Sequence, residues 1–285
     1  MRAAKLLCLR RLARWASSAL LALANAGVGA RLPNSQLAIS QTGASMKKIG
    51  PTEIMSLVKQ IQANRDVLFD EKLKLGNGVY AAQDFERDAR LTVYSKLINS
   101  CNSLQLALTL MSSNLMNLDW WKAIARSPIP EPDVAIYVKE FDSFSKIGFV
   151  QSIFSAIESS LRIYLRALAP SACSNGTSEF KSIYECLFKT QLSAEPADGV
   201  VLLDLLRNVR NTIHNNGVFF NKAATNQSIS WKGKQFLFEY SKPVDFVTWD
   251  FLLEVVTALE KMIGEIVNDS KLTSITTGII DPYAP

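Results

Sequence analysis

VVLLDLLRNVRNTIHNNG, residues 200 to 217, decides how the chain folds. A strongly apolar run passes into a polar stretch and stops at Gly217, which reads as the last turns of a helix closing on a glycine. The helix is expected to begin near Ala197. His214 is the only histidine in 285 residues, and two arginines and four asparagines stand around it. One reading is a helix cap, because Arg, Asn and His satisfy the last carbonyls and complement the helix dipole. The other is a reaction site.

Working outward, the rest of the chain repeats the helical pattern. Ile54, Leu57, Val58, Ile61, Val67 and Leu68 predict a helix from Pro51 to about Leu75, with Thr52 as N-cap and Gly76 and Gly78 as the stop. A second helix is expected from about Gln83 to Met116. NLDWWKAIARSPIPEP, residues 117 to 132, then interrupts, with Pro128, Pro130 and Pro132 expected to forbid regular helix there. A third runs from about Asp133 to Leu168 and closes at Pro170. The segment 177–192 is expected to be helical, capped by Thr177 or Ser178. SISWKGKQFLFEY alternates on both sides of Lys232–Gly233–Lys234, so residues 228–240 predict a β-hairpin. DFVTWDFLLEVVTALEKMIGEIVND, residues 245 to 269, is the final strong amphipathic helix. The fold class is therefore all-α, a helical bundle with one small β-hairpin inserted before the last helix. Its expected parts are residues 1–45 as an N-terminal extension, 46–128 as helices packed against the bundle, 129–272 as the helical domain, and 273–285 as a tail.

Composition narrows the function classes. Hydrophobic residues make up 48% and charged residues 20%, which suits a packed core. The net charge of +5 does not describe the body of the chain, because residues 1–50 hold eight of the 31 basic residues and no acid. The remaining 23 basic residues face 26 acids, so residues 51–285 carry −3. A nucleic-acid site must then be a local patch and not a global field. The basic, apolar N-terminus fits a secretory signal peptide, a transit peptide, or an extension upstream of a start at Met46. A cytoplasmic location is expected, or secretion if residues 1–30 are a true signal. No segment predicts a membrane span. Cys8, Cys101, Cys173 and Cys186 form no CxxC pair and read as free thiols, and with one histidine there is no convincing metal-ligand set. No motif for a cofactor is present. Trp120, Trp121 and Trp231 can stack on bases, but core packing is the plainer role. Asn175-Gly176-Thr177 matters as a glycosylation acceptor only in a secreted chain.

On a helix, positions four apart differ by about 40° and positions seven apart by about 20°. Arg207, Arg210 and His214 thus share a face, and Asn211 lies one turn before Asn215. A guanidinium binds phosphate through planar paired donors, asparagine adds neutral donors, and imidazole can take and return a proton near neutral pH. Together they suit phosphodiester cleavage by an adjacent ribose hydroxyl, a reaction that needs no metal.

LLRNVRNTIHNNG, residues 205 to 217, resembles the signature of the HEPN superfamily, a group of helical-bundle domains. Its ribonuclease members carry Arg, often a following polar residue, and then His after four to six intervening residues. Arg207–Asn208 meets the long end of that spacing, with six residues before His214. Arg210–Asn211 resembles the Arg-Asn pair more closely but leaves only three residues before His214, so the essential arginine is open between the two. The helix around SIFSAIESSLRIYLRAL is similar to the earlier core helix of such domains, which often carries an acid facing the motif. Glu158 is the candidate for that acid, with Arg162 four residues on as its alternative intrahelical partner. The resemblance covers about residues 133–270. It implies a metal-independent endoribonuclease, in the setting of a toxin or defence component. It also implies a homodimer with the motifs facing one another across RNA, and a cognate antitoxin or other protein partner. Some members of the superfamily are instead non-catalytic modules that dimerise or bind a partner or nucleotide.

Overall fold

The computed structural model describes residues 50–173 and 179–284. The expectations for residues 1–49, for Thr177 and Ser178 as caps, and for the Asn175 acceptor pattern lie outside these described residues. The described residues all belong to one compact unit. Its order is α1 (Pro51–Asn77), α2 (Ala89–Leu110), α3 (Leu118–Ile124), α4 (Glu131–Leu168), α5 (Phe180–Cys186), α6 (Gly199–Ile213), β1 (Gln227–Trp231), β2 (Lys234–Phe238), α7 (Trp249–Val267) and the short α8 (Ser270–Thr273). Among the described residues the protein is mainly helical, with a single antiparallel hairpin before the last long helix. No described helix is long and apolar enough to cross a membrane.

Local chemistry explains where the boundaries depart from expectation. The N-cap of α1 is Gly50 and not Thr52, because Glu53 reaches back to accept from the Gly50 N–H at 3.0 Å. That satisfies a donor which the helix itself leaves free. Helix α2 begins six residues later than expected, at Ala89, because Asp88 is its cap and accepts from the Arg90 N–H. Both α2 and α5 end in a wider π turn, Met111–Leu115 and Leu187–Gln191. The proline-rich segment is more regular than its composition suggests. Asn117 caps α3 through the Asp119 N–H, and the three prolines come only after that helix ends. Pro132 lies in the first turn of α4, where a missing N–H costs nothing.

A continuous apolar core runs from Ile54 on α1 to Ile279 beyond α8. Helix α2 packs between α1 and α4, while α4 also meets α5 and α6. The hairpin turn places Lys232 at φ 49° and Gly233 at φ 72°, both left-handed, which is the twist that a two-residue hairpin loop requires. Its inward residues Ile229, Trp231, Phe236 and Phe238 are buried, and Phe236 and Phe238 pack on Phe246. Trp231 is therefore a core residue. Trp121 is half-buried and stacks on Tyr137, with its indole N–H donating to the Leu115 carbonyl.

Residues 275–283 are built into the fold. Arg90, wholly buried, donates to the carbonyls of Leu272, Ile275 and Thr277 and to Asp88. Asp88 in turn accepts from the Ile279 N–H. Asp281 is buried, accepts from Thr92 at 2.6 Å, and pairs with Lys96 at 2.6 Å.

Candidate functional site

Helix α6 presents the motif. Its apolar side, Leu202, Leu203, Leu205, Leu206 and Val209, is buried in the core, which turns Arg207, Arg210 and His214 toward the surface. The helix closes by hydrogen bonds from Gly217 N to Thr212 O at 2.8 Å and from Asn216 N to Ile213 O at 3.3 Å. That is a Schellman pattern. Asn216 at φ 55° takes the left-handed position and Gly217 at φ 83° follows it. A Cβ on Gly217 would meet nothing within 4 Å, so glycine serves the backbone angle there and not the packing.

The polar residues divide by environment. Asn215 caps the helix end, its amide donating to the Asn211 carbonyl at 3.3 Å. Thr212 is buried and bonds the Val209 carbonyl. The His214 side chain is exposed and makes no hydrogen bond among the described residues. Asn208 points inward and is only 4% exposed, and its Nδ2 has no partner among the described residues. The Nε atoms of Arg207 and Arg210 are likewise buried without partners. Each orphaned donor costs roughly 1–3 kcal/mol of desolvation. Three such atoms within four residues mark a place where the fold gives up stability.

The two arginines differ. Arg207 Nη2 pairs with Asp204 Oδ1 at 3.2 Å, and the same oxygen accepts from Tyr184 Oη at 2.7 Å. Lys181 Nζ approaches that carboxylate to 3.6 Å. Burial, reinforced by Asp204, pushes the Tyr184 hydroxyl well above the usual tyrosine range, so it remains a donor. Arg210 lies instead over the Phe154 ring, 5.5 Å from its centroid, with Nη1 at 3.4 Å from the neutral Asn211 Oδ1. Phe154 is held edge-on by Phe180, and Phe180 by Tyr184.

Glu158 accepts from Arg162 at 2.6 Å along α4. The carboxylate bonded to a motif arginine is Asp204. Sequence reasoning passed over Asp204, Tyr184 and Phe154. Asp204 could have been found, since it is the one acid in the apolar run VVLLDLL and stands three residues before Arg207. Tyr184 and Phe154 come from other helices, and nothing in their local sequence marks them.

Among the described residues, no three His, Cys, Asp or Glu side chains are grouped as metal ligands. Cys101 is a buried free thiol, its pKa pushed up to about 11 by burial, and Cys186 is half-buried and free. An open groove between α1 and α7, lined by Gln60, Asn64, Leu253 and Glu254, involves no motif residue. Comparison with protein-family models, with curated proteins and with solved structures gave no match.

Proposed function

We propose that the chain is a HEPN-like, metal-independent endoribonuclease. It would act as a homodimer that brings two motifs to one RNA strand, in the setting of a toxin or defence component with a cognate protein partner. The observation that carries this reading is the exposed His214, at the end of a helix that also carries the partly exposed Arg207 and Arg210.

In the proposed reaction, the imidazole of His214 takes the proton from a ribose 2′-hydroxyl. That oxygen attacks the adjacent phosphorus, the bond to the 5′-oxygen breaks, and a proton returned by imidazolium leaves with it. The products are a 2′,3′-cyclic phosphate and a 5′-hydroxyl. An arginine of the pair stabilises the charge growing on the phosphorus oxygens. All of these groups belong to the chain, so activity should survive metal chelation. Digestion of bulk RNA in EDTA, with end-group analysis of the products, tests the reading. Intact RNA would leave the non-catalytic HEPN-like module, for dimerisation, partner binding or nucleotide binding. The Asn215 amide, which bonds the helix end, fits that second reading.

A further inference from the structure

We infer that the two arginines of the motif do different work: Arg210 receives the phosphate, while Asp204 and Tyr184 hold Arg207 as part of the site's wall. The identity of the anion rests on the ribonuclease reading, but the division of labour rests on geometry.

Arg207 already has an anion. Its Nη2 meets Asp204 at 3.2 Å, and Asp204 is itself fixed by the Tyr184 hydroxyl at 2.7 Å. A phosphate brought to Arg207 would face the charge of that carboxylate at close range. Arg210 has no carboxylate within ion-pair distance among the described residues. Its contacts are the face of Phe154 and one long bond to a neutral amide. An aromatic face orients a guanidinium without neutralising it, and so leaves its positive charge for an oxyanion at the terminal Nη groups, the Nε being buried.

Spacing along α6 favours the same residue. Residues four apart on a helix are neighbours, with Cβ atoms about 5–6 Å apart, whereas seven residues advance the axis by about 10 Å. Arg210 is thus the arginine beside His214, close enough for both to serve one phosphodiester. Arg207 stands two turns away. This assignment departs from the four-to-six-residue spacing of the family that the motif resembles. The departure is what gives the inference its test.

The probe is a fluorescein-labelled single-stranded hexanucleotide with 2′-O-methyl riboses, which cannot be cut. Its affinity for the full chain is read by anisotropy across a salt series, and each variant's melting temperature is recorded. Arg210→Gln is expected to weaken binding at least tenfold and to make the log–log salt slope shallower by about 0.7, one phosphate contact on a single strand. Arg210→Lys should keep the slope while losing affinity. Arg207→Gln should stay within threefold of wild type in affinity and appear in the melting temperature instead. Equal or greater loss of binding in Arg207→Gln would overturn the assignment, as would a wild type that does not bind the probe. A wild type that binds in the expected pattern but leaves unmodified RNA intact would sink the ribonuclease reading alone.

Discussion

Asp88 and Arg90 face each other at 2.7 Å with neither side chain exposed to solvent. The pair caps α2 and ties residues 272–279 to it, so it links the start of α2 to α8 and the segment that follows. Removing one partner of a buried pair leaves an uncompensated charge and costs about 3–5 kcal/mol. Arg90→Met is therefore expected to lower unfolding stability by about that amount in urea titration. A change below about 1 kcal/mol would mean that the segment does not depend on this pair.

Asp281 gives the fold an acid-sensitive contact. Burial alone would raise its pKa, but hydrogen bonds from Lys96, Thr92 and the Tyr283 N–H outweigh that and hold the carboxyl below its ordinary value. A carboxyl with a lowered folded pKa stabilises the protein above its unfolded value of about 3.9. The contribution disappears as pH falls through the folded value. Wild type is expected to lose stability steadily below about pH 4. Asp281→Asn should be less stable at neutral pH and flatter across that window. Parallel pH profiles for the two proteins would remove Asp281 from the explanation.

Glu260 has the opposite sign. Burial, with a further push from Glu71, raises its carboxyl pKa. An acid with a raised folded pKa leaves stability at its fullest below the unfolded value of about 4.3, and that stability is lost as pH rises from there through the folded value. Glu260→Gln should then melt higher than wild type at pH 7, and the gain should vanish in acid. A lower melting temperature at pH 7 would show that the charged form is useful to the fold.

The fold was largely legible because helix and hairpin each declare a period. Lys232–Gly233 between alternating apolar residues marks the hairpin, and the amphipathic run 245–269 marks the last long helix, although that helix begins only at Trp249, where Thr248 caps it. What escaped were the starts of helices, where the deciding contact is local but competes with neighbours. Gly50 won over Thr52 because Glu53 reached back, and Asp88 won over Gln83 because Arg90 and Ile279 fixed it. The polar cluster on α6 was visible as types and spacing. Its electrostatics were not, because Tyr184 and Phe154 reach it from α5 and α4 across the core.

Asn208 separates structural from functional demand. It is buried, its Nδ2 has no partner among the described residues, and such a group costs roughly 1–3 kcal/mol. Asn208→Leu, of similar size and apolar, is expected to raise the unfolding midpoint, since stability is commonly given up at sites of function. In a ribonuclease, the same variant should lose cleavage rate. A destabilised variant would show that the amide has a partner in the folded chain.

The most direct measurement is single-turnover cleavage of a 5′-labelled single-stranded RNA in EDTA, comparing wild type with His214→Ala. Wild type is expected to produce fragments ending in 2′,3′-cyclic phosphate. His214→Ala should be slower by about 10²–10⁴-fold, the usual contribution of a proton-transfer group. Its melting temperature should stay within a few degrees of wild type, because an exposed residue at a helix end contributes only about 1 kcal/mol. RNA left intact by wild type, or cut as fast by His214→Ala, would contradict the account.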